Sequence, residues 1–70
     1  MEEIVRNVLV APEQQLELRL GRIVLQSRIE MGDPAKLYLI RVIVDTDHEP
    51  AEVVTSYRTS RISKYWRVQP

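Results

Sequence analysis

The sequence predicts an α+β domain: a short N-terminal helix packed on a four-stranded antiparallel meander, followed by a short C-terminal helical tail. Three observations predict it. Apolar residues near the N-terminus recur at helical spacing. Four later stretches read as strands, by alternation or by continuous apolar and β-branched character. The connections between the strands are short and polar, which favours antiparallel neighbours.

The helix is expected over Glu2 to Leu9, where Ile4, Val5, Val8 and Leu9 form one apolar stripe. Glu2 and Glu3 fall in its first turn, where the positive end of the helix dipole favours acids. Pro12 stops it and pushes Ala11 toward extended geometry. A helix this short is not stable alone and must pack on something. From Gln15 to Leu20 the chain alternates, with Leu16, Leu18 and Leu20 on one side, the pattern of a half-buried strand. Gly21 marks a turn. A second strand runs from Arg22 to Met31, with Ile23, Leu25, Ser27, Ile29 and Met31 on one face and Val24, Gln26, Arg28 and Glu30 on the other. Gly32-Asp33-Pro34 is turn chemistry.

Leu37 to Val44 is apolar on both faces, as expected of a central strand. Arg41 interrupts the face of Leu37, Leu39 and Ile43. An arginine among leucines bridges to an acid on a neighbouring strand, reaches a sheet edge, or faces a site. Asp45 to Pro50 is an acidic loop around His48; its spacing matches no EF-hand, and a solvated hairpin loop is expected. The fourth strand is expected from Ala51 to Thr59, with Ala51, Val53, Thr55, Tyr57 and Thr59 on one face. Ser60 is placed to N-cap a helical turn from Arg61 to Trp66, in which Ile62, Tyr65 and Trp66 pack and Arg61 and Lys64 stay wet. Trp66 is expected to close the core from its end. One short helix and a tail barely cover two apolar sheet faces, so a homodimer or a protein partner is expected.

Composition narrows the chemistry. Seventy residues make one small domain with a thin stability margin. The absence of cysteine removes disulfides, thiolate metal sites and a cysteine nucleophile. A single histidine would leave a zinc site to carboxylates, so no metal and no cofactor are expected. No apolar run approaches the roughly 20 residues of a membrane span, and the opening MEEIVRN lacks the basic start of a secretory signal. A cytoplasmic location and no membrane association are therefore expected. Net charge is zero, but residues 51–70 carry Arg58, Arg61, Lys64 and Arg67 against Glu52 alone, a basic end that suits a polyanion.

The runs GRIVLQSRI (Gly21–Ile29), YLIRVIVD (Tyr38–Asp45) and VVTSYRTSRISKYWR (Val53–Arg67) resemble a family of small bacterial and cyanobacterial domains of unknown function. That family is grouped with the barnase–EndoU–colicin–RelE nuclease-like fold. The most specific piece is the T-x-Y-x-T pattern of Thr55, Tyr57 and Thr59, followed by Arg61 and Lys64. The resemblance implies a helix on a four-stranded antiparallel sheet and metal-independent RNA cleavage, as in toxins that an antitoxin protein restrains. In such cleavage the 2′-hydroxyl attacks the adjacent phosphate, which requires proton transfer and cations for the phosphoryl oxygens. On this reading Arg41, Tyr57 and Thr59 are the catalytic candidates: Arg41 supplies charge, Tyr57 acts through its phenol or stacks a base, and Thr59, with Thr55, positions a phosphate. Arg28, Arg58, Arg61 and Lys64 are the candidate RNA and phosphate contacts. Active members of such folds carry a His, Lys or Glu acid or base on the leading helix, where this chain offers Glu2, Glu3, Arg6 and Asn7.

Three functions follow. The first is a RelE-like ribonuclease acting on RNA or the ribosome. The second is a non-catalytic module of the same fold that forms a homodimer or binds a protein partner. The third is a nucleic-acid-binding module that uses the basic tail with Tyr57, Tyr65 and Trp66 as stacking surfaces.

Overall fold

The structure is a computed structural model, and residues 1–68 are described. Its elements run α1 (Glu2–Val10), β1 (Gln14–Arg19), β2 (Arg22–Met31), β3 (Lys36–Asp45), β4 (Glu52–Thr59) and α2 (Ile62–Tyr65). The strands form one antiparallel sheet in the order β1-β2-β3-β4, the expected meander. With one helix layer on the sheet, the molecule is flat, 41 × 31 × 17 Å. Its radius of gyration is 12.4 Å, against about 11 Å for a compact chain of this length.

One face of the sheet lies against α1. Val8 of the helix, Leu25 of β2 and Ile40, Val42 and Val44 of β3 are buried together, with Ile4, Val5, Ile23 and Ile29 packed around them. Each fully buried Ile or Val side chain contributes about 1.5–3 kcal/mol relative to exposure. The helix covers with a narrower stripe than expected, because Leu9 is 38% exposed and sits off the contact line. Ala11 ends the helix outside the α region (φ −147°, ψ 70°), in keeping with the bar on helical geometry before Pro12.

Turn chemistry acts where expected. Gly21 (φ 81°) and Gly32 (φ 94°) hold left-handed geometry that other residues rarely adopt. A Cβ at Gly21 would displace the exposed Asp47 carboxylate, so the positive φ is the stronger reason for glycine there. The Gly21 carbonyl accepts from Thr46 N at 2.9 Å, tying the β1–β2 turn to the β3–β4 loop. In that loop His48 lies 3.6 Å from Asp45 Oδ2 and 3.3 Å from Glu52 Oε2.

Several expectations change. Leu18 is 51% exposed and Leu20 99%. The β1–β2 register slips between Glu17 and Arg19, and Leu20 falls in the turn, so on the alternating apolar side of β1 only Leu16 is even half-buried. Leu37 is 45% exposed because nothing covers that end of β3. In β4 the register slips between Thr55 and Val53, leaving Val54 as an extra residue. Val53 therefore pairs with Val44 on the α1 face, while Thr55, Tyr57 and Thr59 pair with Ile43, Arg41 and Leu39 on the other. Ser60 does not cap α2: the N-cap position is Arg61, whose backbone N–H donates to Thr59 Oγ1 at 3.1 Å.

Candidate functional site

The face away from α1 carries the polar side chains, and the registers bring four of them into one row. Gln14 of β1 stands opposite Gln26 of β2, Gln26 opposite Arg41 of β3, and Arg41 opposite Tyr57 of β4. The row is hydrogen-bonded end to end. Gln26 Nε2 donates to Gln14 Oε1 at 2.7 Å. Arg41 Nε donates to Gln26 Oε1 at 2.9 Å, and Arg41 Nη1 donates to the Tyr57 hydroxyl at 2.6 Å. The bulge at Val54 makes the last link possible. Counted without a slip from the Asp45–Glu52 pair, Ser56 would stand opposite Arg41 and Tyr57 would point to the helix face.

The chain then returns over this row. After α2, residues 65–68 cross the sheet as a strap held by its backbone. Gln26 Nε2 donates to the Tyr65 carbonyl at 3.2 Å. Gln14 brackets Arg67, donating to its carbonyl at 2.5 Å and accepting from its N–H at 3.1 Å. The Arg41 guanidinium lies 4.2 Å from the Tyr65 ring centroid, and Tyr65 meets Tyr57 edge-on at 6.3 Å. Trp66 does not close the end of the core as expected; it lies on the strap with the Arg28 guanidinium 4.1 Å from its ring centroid. A cation over an aromatic face is stabilised by the ring quadrupole.

Arg41 is 8% exposed and Gln26 is fully buried. Buried charge is costly unless its donors are satisfied. Among the described residues, the hydrogen-bond partners of Arg41 are an amide and a phenol, backed by an aromatic ring, and no carboxylate lies in salt-bridge range. The neighbouring-strand acid that the sequence suggests is thus replaced by Gln26 and Tyr57.

The other candidates are dispersed. Thr59 shares the face of Arg41, two residues beyond Tyr57, with its hydroxyl engaged by the backbone of Arg61. Arg28 is on the same face but gripped by Glu13: its Nε and Nη2 donate to the two carboxylate oxygens at 3.2 and 3.1 Å, and its backbone N–H donates at 2.7 Å. These hydrogen bonds hold the Glu13 carboxyl below its usual range and raise Arg28 above its own. Arg58 is on the α1 face, stacked 4.6 Å from the Tyr38 ring centroid. Arg61, at the N-cap of α2, and Lys64, within it, are exposed. Hydrogen bonding to Lys64 and its charge, with smaller help from Tyr57 and Arg41, hold the Tyr65 phenol below its ordinary value.

Gln14 and Gln26 are the residues sequence reasoning missed. The signal for Gln26 was present: counting inward from the turn pair Met31–Lys36 places it opposite Arg41. Among the described residues, no cluster of three or more His, Asp or Glu side chains is placed to hold a metal ion, and no helix is long and apolar enough to cross a membrane. Comparison of the chain with protein-family models, curated proteins and solved structures finds no match.

Proposed function

We propose that the protein is a non-catalytic interaction module that acts by binding another polypeptide. One observation carries this reading: Arg41 and Tyr57, two of the three candidate catalytic residues, are joined to each other beneath the strap. The Arg41 guanidinium is engaged by Gln26, Tyr57 and the ring of Tyr65, and the residue is 8% exposed. A guanidinium that stabilises a phosphorane must present free N–H groups at hydrogen-bond distance from the phosphoryl oxygens. This one instead fastens β2, β3 and β4 together beneath the strap. Large apolar side chains stay in water at the same time: Val10 and Leu20 are 79% and 99% exposed, and Val53 and Val54 of β4 are 47% and 44% exposed. For a flat domain of this size such surface suits a partner.

A second reading has its own support. Arg41 and Tyr57 share a face and a 2.6 Å hydrogen bond, with Thr59 next along the strand. In a metal-independent ribonuclease this pair would serve the phosphate and the proton once the strap lifted, and an antitoxin-like protein would be the partner. Incubating RNA with purified protein in EDTA distinguishes the two. The module leaves the RNA intact; cleavage to cyclic-phosphate ends, lost in Tyr57→Phe, would replace the first reading with the second.

A further inference from the structure

The two edges of the sheet are built differently. The β1 edge is six residues long, carries Glu17 and Arg19, and is broken by a register slip. Its first residue, Gln14, is held by the strap through Arg67. Charges, short length and bulges are the devices that keep an edge strand from pairing with another chain. The β4 edge also carries a bulge, at Val54, but the strap does not hold it. It is eight residues long, and its first four residues are exposed. The central run Val53-Val54-Thr55-Ser56-Tyr57 has high β-propensity, no charge and no proline. Arg58, the cation nearest that run, is turned onto Tyr38 and Met31 on the α1 face.

We infer that β4 is the binding edge, and that its occupant is β4 of a second copy of this chain, paired antiparallel about a two-fold axis. The inference rests on the interaction-module reading and names its partner. Charge selects both occupant and direction. The strand has an acid at one end, Glu52, and an exposed base just beyond the other, Arg61. Antiparallel self-pairing brings each acidic end beside a basic end. Parallel pairing would set Glu52 against Glu52, and like charges across strands are unfavourable. The pairing gives the outward backbone N–H and C=O groups of β4 partners and shelters Val53 and Val54, extending the sheet to eight strands. It consumes both open edges, and the guarded β1 edges then end the sheet, so the assembly closes as a dimer instead of growing into a fibre.

The test is mass in solution by light scattering over a concentration series, with wild type beside Val54→Lys and Leu18→Lys. Wild type is expected at twice 8.2 kDa. Val54→Lys is expected at the single-chain mass with unchanged circular dichroism, and Leu18→Lys, on the other edge, as the dimer. Hydrogen exchange on wild type supplies a readout free of mutation: β4 amides lose protection on dilution while β1 amides do not change. A wild type that is monomeric throughout overturns the proposal. So does a dimer that survives Val54→Lys and dissociates in Leu18→Lys, although an interaction module would then remain. Metal-free RNA cleavage would sink the module reading without touching the dimer.

Discussion

The two faces of this sheet are closed by opposite chemistry. On the α1 side, Val8, Leu25, Ile40, Val42 and Val44 exclude water with apolar contact alone. On the strap side, Gln14, Gln26, Arg41 and Tyr57 form a hydrogen-bonded row that reaches up to the backbone of Tyr65 and Arg67. Apolar closure is non-directional and scales with area, so its members act nearly independently. Polar closure is directional, and one missing member strands its neighbours. The helix face therefore supplies bulk stability, and the strap face fixes which residues meet.

The helix face should respond most to a single truncation. Ile40→Ala removes a fully buried side chain at the centre of that cluster, at an expected cost of about 2–5 kcal/mol. A domain of this length holds about 4–10 kcal/mol in total, so urea unfolding should show a midpoint collapsed toward zero denaturant. Val53→Ala, at a residue 47% exposed, should stay within about 0.5 kcal/mol of wild type. Equal effects from the two variants would mean that burial on this face is not what holds the fold.

The strap face should show its directionality in a pair of variants. Gln26→Leu leaves Arg41 Nε without an acceptor and the Tyr65 carbonyl without a donor, and each stranded buried group costs about 1–3 kcal/mol. Adding Arg41→Met removes the stranded charge as well. The double variant should therefore melt higher than Gln26→Leu alone, with each kilocalorie recovered raising the midpoint by about 4–8 °C. Additive losses would break the contrast between the faces, because independent contributions belong to apolar packing.

This contrast also explains what could be read from the sequence. The α1 stripe and the faces of β2 and β3 were legible because one-sided burial imposes periods of 3.6 and 2 on residue choice. Ile4, Val5, Val8, Ile40 and Val42 announce themselves in that way. Beyond the Gln26–Arg41 pair the polar row was illegible, because it depends on slips of register. A slip at Val54 leaves no mark in composition, yet it decides that Tyr57 and not Ser56 stands opposite Arg41. The slip at Leu18 likewise ends burial of a strand whose alternation looked complete. Arg41 was recognisable as out of place, but its partners lie on two other strands. The strap was least visible, since Gln14 and Gln26 hold it through the backbone of Tyr65 and Arg67.

At the edge of the row the effect shrinks. Tyr57 is half-buried, so water can take over the hydrogen bond that its hydroxyl accepts from Arg41. Tyr57→Phe should cost about 1 kcal/mol in chemical unfolding, well short of Gln26→Leu. A loss as large as that of Gln26→Leu would place Tyr57 inside the closed part of the row.

The smallest effect is expected outside the row, where Glu13 grips Arg28 beneath Trp66. The pair is solvent-exposed, so its contribution to global stability is minor. It should still govern the local placement of Trp66, and pH can isolate it. The folded-state pKa of Glu13 is depressed by its hydrogen bonds to Arg28. A depressed carboxylate pKa means that the linked stability is present above the unfolded value, about 4.3 for Glu, and is lost as pH falls through the folded value. Trp66 is the single tryptophan and reports on this site alone. Its emission should stay constant through neutral pH and change below the ordinary carboxylate range, before circular dichroism registers loss of the sheet. In Glu13→Gln the low-pH emission should already be present at neutral pH and show little further change on acidification. Emission that tracks unfolding in both proteins would mean that the strap is carried by Gln14 and Gln26 alone, and that Arg28 takes no part in closing this face.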